Sequence, residues 1–187
     1  MLGIMERRLE DDIHRILFTP EQIETAVHRL AGEILNEYRD KPLTLIAVLT
    51  GSLMFLSDLI RLLPIRLHLD CIGASSYANG TTSSGIITIT KQLRIGVKDR
   101  HVLIVDDILD TGQTLSYIVD VVGALHPKDL KTCVLLDKPT RRKARIEANF
   151  RGFEIPDVFV VGYGLDYADQ YRNLPYIAVL KKRVYRS

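Results

Sequence analysis

Two stretches of the chain repeat one order of features, and that order restricts the fold more than anything else in the sequence. "LTLIAVL" (43–49) is a continuous apolar run closed by Thr50, Gly51 and Ser52 and followed by helical spacing over 53–63. "HVLIVDD" (101–107) leads through "ILDTGQT" into "LSYIVDVVGAL", which carries helical spacing to residue 125. Strand, small-residue turn and helix make half of a βαβ unit, and two such halves predict a parallel sheet with helices on its faces. The expected class is therefore α/β, with a central, mostly parallel, twisted sheet.

Further apolar or β-branched runs at 65–74, 85–90, 131–136 and 158–162 are bounded by turn residues or charge and read as strands. A helix is predicted over 20–39. Thr19 is its N-cap, Pro20 takes the first helical position, and Ile23, Val27, Leu30, Ile34 and Tyr38 recur three or four apart. Between strands, "SSYANGTTSSG" (75–85) is too polar to enter a core and reads as a long mobile loop.

A length of 187 residues, 47% of them hydrophobic, suits one globular domain, and no repeat or linker divides it. The formal net charge of +2 gives no general case for nucleic acid. Cys71 and Cys133 lack metal-ligand spacing and are expected to be buried, reduced thiols, as in a cytoplasmic protein. No segment reaches the ~20 apolar residues a membrane helix needs.

Asp106, Asp107 and Asp110 crowd the end of the second strand. Ligands of open parallel sheets bind beyond the carboxyl ends of the strands, where a helix N-terminus offers N–H groups to phosphate. "DTGQT" has the small side chains such a cradle needs, whereas the carboxylates suit hydroxyls, a divalent cation or a proton. The competing structural role is that the paired acids merely end the strand while Asp110 and Thr111 cap the next helix. The stretch matches neither the P-loop nor the dinucleotide pattern.

"VLIVDDILDTGQTL" closely resembles the phosphoribosyl pyrophosphate (PRPP) binding motif of type I phosphoribosyltransferases. "VLTGSLMFLSDLIR", "ASSY", "LLDKPTRRK" and "GFEIPDVFVVGYGLDYADQYRNLPYIAVL" follow the order of the purine-salvage, hypoxanthine-guanine branch of that family, spanning residues 48–180. The resemblance implies a type I phosphoribosyltransferase fold with a small hood, built from N-terminal residues and a segment from about 150 to 187. It also implies transfer of the 5-phosphoribosyl group from PRPP to hypoxanthine or guanine, giving IMP or GMP and pyrophosphate, with Mg²⁺.

By the same resemblance, Asp106 and Asp107 hold the ribose hydroxyls directly or through Mg²⁺, with Asp166 a further metal ligand. Asp110 faces purine N7 as a base or as a stabiliser of its proton. Thr111, Gly112, Gln113 and Thr114 bind the 5-phosphate. Thr50 and Gly51 form the pyrophosphate loop, with a cis peptide expected between Leu49 and Thr50, and Arg172 contacts pyrophosphate. Some relatives carry Lys where this chain has Thr50, which leaves the contact here to backbone donors. Lys138 addresses the 6-oxo group, Phe159 stacks on the purine and the Val160 backbone reads its edge. Ser76 and Tyr77 belong to the closing loop.

The basic run Arg141, Arg142, Lys143 and Arg145 reads as a solvated face. An RNA-binding regulator on the same fold is the rival of another class, and Asp110, where that rival is expected to carry Tyr, argues against it. The apolar stripes of the 20–39 and 53–63 helices are expected to serve a homodimer or homotetramer.

Overall fold

The computed structural model describes residues 8–76 and 87–185, with Ser76 described in its backbone only. In chain order these form β1 (Ile13–Phe18), α1 (Pro20–Tyr38), β2 (Leu43–Leu49), α2 (Leu53–Arg61), β3 (Leu67–Ser76) and β4 (Ile87–Lys91). There follow β5 (His101–Leu109), α3 (Gln113–Gly123), β6 (Asp129–Asp137), β7 (Phe150–Glu154), β8 (Val160–Val161), β9 (Ile177–Leu180) and α4 (Lys182–Tyr185). Tyr77 and most of the 75–85 loop lie outside the described residues.

The large sheet has the order β4-β3-β2-β5-β6-β7, parallel throughout except for β4, which runs antiparallel to β3. Both βα units read from the sequence are present, side by side at its centre. From β2 the chain crosses to β3 on one side, and from β5 to β6 on the other. The strand order thus reverses between β2 and β5, and the turns that follow these two strands open into the same crevice.

Helix α1 begins as its sequence dictates. Thr19 Oγ1 accepts from Gln22 N and Gln22 Oε1 accepts from Thr19 N, which makes a capping box. Its stripe of Ile23, Val27, Leu30, Ile34 and Tyr38 is buried within the chain. Burial of that kind stabilises by about 1.5–3 kcal/mol for each large side chain. The stripe is therefore unavailable to a second subunit, contrary to expectation, while Leu53 and Met54 on α2 do remain exposed.

Three strands escape sequence patterning. β1 is exposed at three of its six residues, β7 ("FRGFE") is short and mixed, and β9 has four residues, so none shows a sustained period of two. β1, β9 and β8 form a second, antiparallel sheet. Residues 150–154, assigned above to the hood, are instead the outer strand of the large sheet, so the second sheet draws on 160–180 and on β1. The 158–162 run shortens to Val160–Val161.

Cys133 is buried and Cys71 only half-buried, and both thiols are free. They lie on β6 and β3, three strand spacings apart in the sheet, or about 14 Å. No disulfide can span that distance.

Asp70, buried in β3, fixes the chain as it leaves β4. Its Oδ1 accepts from Cys71 N (2.8 Å) and Lys91 Nζ (3.3 Å), and its Oδ2 from Arg94 N (2.5 Å) and Ile95 N (2.9 Å). Burial alone would raise its pKa, but the Ile95, Cys71 and Arg94 N–H groups outweigh it and hold the carboxyl at about 2. The folded value lies below the unfolded one, about 4. The stabilisation is therefore complete above the unfolded pKa and is lost as pH falls through about 2. Asp70→Asn, which leaves the amides of Arg94 and Ile95 facing an NH₂ group, is expected to cost about 2 kcal/mol at pH 7. Urea unfolding of both proteins should show that gap closing as the pH approaches 2, and a pH-independent gap would refute the charge-assisted account.

Candidate active site

Two clefts meet above the carboxyl ends of the central strands. The smaller, of about 340 Å³, is bounded by the turn after β2, the end of β5 and the start of α3. Thr50, Gly51, Asp106, Asp107, Asp166 and Arg172 line it, as do Thr111, Gly112 and Thr114. The larger, of about 1050 Å³, lies under the second sheet and is lined by Lys138, Arg141, Phe159 and Val160. Asp107, Ile108, Asp110 and Asp166 line both, which makes the acidic cluster the junction of the two.

The acids do not end the strand, because β5 continues through both to Leu109. Asp106 N and its neighbours stay in register with β6, with Asp106 opposite Val134 and Ile108 opposite Leu136. The amides of Asp107 and Ile108 meanwhile donate to Asp106 Oδ1 (3.0 Å) and Asp107 Oδ1 (2.8 Å). Burial, reinforced by the neighbouring Asp107 charge, pushes the Asp106 carboxyl well above the usual carboxylate range. Burial raises Asp107 as well, against the opposing pull of its hydrogen bonds and of Arg172. Asp106 is buried and Asp107 half-buried, and both shifts disfavour the doubly charged pair unless a cation is brought to it.

Gly51 reaches Asp107 so closely that a Cβ on it would lie 1.7 Å from Asp107 Oδ2. The Leu49–Thr50 peptide is cis, as the resemblance implied. Arg172 closes the far side of this cleft. Its Nη1 donates to Gly164 O (2.8 Å) and its Nη2 pairs with Asp166 Oδ1 (2.8 Å).

Gly112 caps α3 with φ +80°, a conformation glycine adopts without cost. An added Cβ would also lie 2.8 Å from Ile146 Cγ2. Gln113, by contrast, is exposed and lines neither cleft. Its amide faces Thr111 Oγ1 at 3.5 Å.

Asp110 sits between two cations. Lys138 Nζ is 3.4 Å from Oδ2, with the lysine side chain only 5% exposed, and Arg141 Nε is 3.0 Å from Oδ1. The Arg141 contact lacks hydrogen-bond geometry, so the buried Oδ1 has charge compensation but no donor among the described residues. Unpaired buried acceptors of this sort are rare and point to a ligand.

In the larger cleft, β8 is the edge strand of its sheet. Leu180 N donates to Phe159 O (3.3 Å), and Val160 is opposite Val179. Hydrogen-bonded and non-hydrogen-bonded pairs alternate in antiparallel strands, so the N–H and C=O of Val160 turn away from β9 to the open edge. The Phe159 ring is flanked by Tyr185, stacked at 4.9 Å between centroids, and by Tyr167, edge-on at 5.6 Å. Tyr163 and Tyr171 serve packing, with their hydroxyls donating to Asp58 Oδ2 and Asp12 Oδ2.

The basic run departs from expectation. Arg142 is mostly buried, pairs with Asp137 and donates to the carbonyls of Leu109 and Asp110, while Arg141 reaches Asp110. The sequence assigns Arg141 and Arg142 to a solvated face and gives no signal for Tyr185. A cluster of four cations offers no periodicity by which its inward-facing members could be told from the outward-facing ones.

Among the described residues no three His, Cys, Asp or Glu side chains converge as a ready-made metal cage. Mg²⁺ is commonly held by one or two carboxylates together with substrate oxygens and water. The all-oxygen donors Asp106 and Asp107, adjacent on the wall of the smaller cleft, suit an ion held in that way.

The family model of the phosphoribosyl transferase domain matches residues 16–168. The hypoxanthine-guanine phosphoribosyltransferase of Bacillus subtilis is 49% identical over 179 residues, which cover 96% of this chain and 99% of that one. A crystal structure of a Staphylococcus aureus hypoxanthine phosphoribosyltransferase superposes with a TM-score of 0.92 at 44% identity, covering 98% of this chain and all of the other. The hypoxanthine phosphoribosyl transferase of Trypanosoma cruzi gives a TM-score of 0.88 at 41% identity over 96% of this chain and 97% of its own. Sequence, fold and the order of the motifs agree, and the chain belongs to the phosphoribosyltransferase family, among the hypoxanthine-guanine phosphoribosyltransferases.

Proposed function

We propose that the joined clefts transfer the 5-phosphoribosyl group of PRPP to a nitrogen of hypoxanthine or guanine, forming IMP or GMP and releasing pyrophosphate. The bond from C1 to the pyrophosphate oxygen breaks with its electron pair, the purine nitrogen bonds to C1, and the base gives up a proton. Charge develops on the leaving pyrophosphate and on a cationic ribose, so the site must supply donors to the first and exclude water from the second.

In this reading the smaller cleft takes PRPP. Thr111, Gly112 and Thr114 receive the 5-phosphate at the N-terminus of α3, with Gln113 contributing backbone alone. Asp106 and Asp107 grip the ribose hydroxyls, and Thr50, Gly51 and Arg172 address pyrophosphate. Asp106, Asp107 and Asp166 are the residues for Mg²⁺, whose charge would offset that of the pyrophosphate. Asp166 reaches that role by release from its pairing with Arg172.

The larger cleft takes the purine. Lys138 donates to the 6-oxo group, the open backbone groups of Val160 meet the base edge, and Phe159 lies against the ring face. Ser76 and Tyr77 remain the closing pair. The observation that carries the proposal is Oδ1 of Asp110, a buried acceptor that faces Arg141 but has no hydrogen-bond donor among the described residues, at the junction of the two clefts where a proton on purine N7 would meet it.

Assembly as a homodimer or homotetramer is supported by the exposed Leu53 and Met54, and cytoplasmic residence by the two free thiols. No described helix is long and apolar enough to cross a membrane. Pyrophosphate release from PRPP should follow addition of hypoxanthine or guanine and not of uracil. Equal release with uracil would overturn the assignment of the base cleft.

A further inference from the structure

We infer that Arg142 is a positioning residue that aims the phosphate cradle, acting through the carbonyls behind it and touching no substrate. The segment 138–144 lies along the back of the turn 109–112 and captures its carbonyls in sequence. Leu109 O accepts from Lys138 N (2.9 Å) and Arg142 Nη1 (3.0 Å). Asp110 O accepts from the same Arg142 nitrogen (2.7 Å), and Thr111 O from Lys143 N (2.9 Å) and Ala144 N (3.1 Å).

In a planar trans peptide the C=O of one residue and the N–H of the next point in opposite directions. Holding three successive carbonyls from one side therefore turns the amides of Asp110, Thr111 and Gly112 to the other. None of these three amides has an acceptor among the described residues, and all three residues line the smaller cleft. Successive free amides of this kind form an anion-binding nest. The middle carbonyl, that of Asp110, is held by Arg142 and, among the described residues, by no backbone amide, so this side chain sets the orientation of the central peptide.

Arg142 is itself held in place. Its Nη2 pairs with Asp137 Oδ1, and the side chains are 16% and 6% exposed. Its Cδ lies where a Cβ on Gly112 would come within 3.0 Å, so the stem also packs against the turn. It lines neither cleft, which separates it from Arg141 and Lys138.

The inference rests on the reading of Thr111 to Thr114 as the phosphate site, and Thr114→Val tests that reading separately. Arg142→Met, which keeps the stem and removes the donors, should raise the KM for PRPP and the inhibition constant for inorganic phosphate about ten-fold or more. The KM for the purine should stay within about three-fold. Arg142→Lys should recover part of the loss, because one ammonium can serve one carbonyl. If Thr114→Val raises the PRPP KM and Arg142→Met does not, the positioning role is wrong and the cradle stands. If Thr114→Val changes nothing, the cradle itself is wrong. Should Arg142→Met fail to fold, Asp137→Asn loosens the same guanidinium, and an unaltered PRPP KM in that variant would overturn the inference.

Discussion

Gly51→Ala is expected to lower kcat/KM for PRPP by about 10³-fold, equivalent to about 4 kcal/mol of transition-state stabilisation. The added methyl would lie 1.7 Å from Asp107 Oδ2 and 2.6 Å from its Cγ, distances at which one of the two groups must move. Neither can move without cost to the site. Asp107 is anchored through Oδ1 to the Ile108 amide, and displacing it removes the grip on ribose proposed for it. Displacing the loop instead withdraws its backbone from the position proposed for pyrophosphate, and misplacements of about 1 Å already cost about 10²-fold. The core beneath, where Val48 and Phe55 are buried on either side of the turn, is untouched, so the melting temperature should fall by only a few degrees. Steady-state kinetics with a thermal melt separates the outcomes, and activity within ten-fold of the parent would show that the close approach has no function.

Asp110→Asn is the second large effect, with kcat down by about 10²–10⁴-fold, the usual contribution of a general base. The amide preserves shape and removes both the charge and the proton acceptor at Oδ1. The groups proposed to hold PRPP in the smaller cleft are other side chains and backbone amides, which this substitution leaves in place, so the PRPP dissociation constant should change by less than about three-fold. The substitution also leaves Lys138, almost fully buried, without its carboxylate partner. Purine binding should therefore weaken as Lys138 loses its orientation. Single-turnover rates and equilibrium PRPP binding decide the matter, and equal losses in both would refute a role in chemistry.

How far the sequence revealed the site differed from segment to segment. Both βα units were legible because a continuous apolar run followed by small residues and helical spacing has one physical solution in a parallel sheet. "DDILDTGQT" was legible through its order of residue types, and Thr111, Gly112 and Thr114 do line the cleft it suggested. Gln113 shows the resolution of such a motif. It lies between cleft residues in the chain yet faces solvent, because the first turn of α3 rotates it outward. The ends of β5 and α3 also shifted. The strand runs past both acids since each carboxylate takes an amide in the strand itself, and no pattern of hydropathy records such a bond.

The chain order of apolar runs, turns and acids by itself determined the α/β class, the central strands and the place where the acids and the small-residue turn converge on one cleft. It did so because periodicity and turn chemistry are local properties, readable within a few residues. Only the tertiary structure decided that 150–154 joins the large sheet, that Asp110 stands between Lys138 and Arg141, and that Arg142 faces inward. The sheet pairing joins residues 17 positions apart, and the contacts of Lys138 with Asp110 and of Arg142 with Asp110 O and Leu109 O join residues 28 to 33 apart. A guanidinium in a basic run is equally soluble on either side of its loop until a carboxylate such as Asp137 and a set of open carbonyls are brought to it. Its burial is a consequence of that encounter, which composition and spacing do not encode.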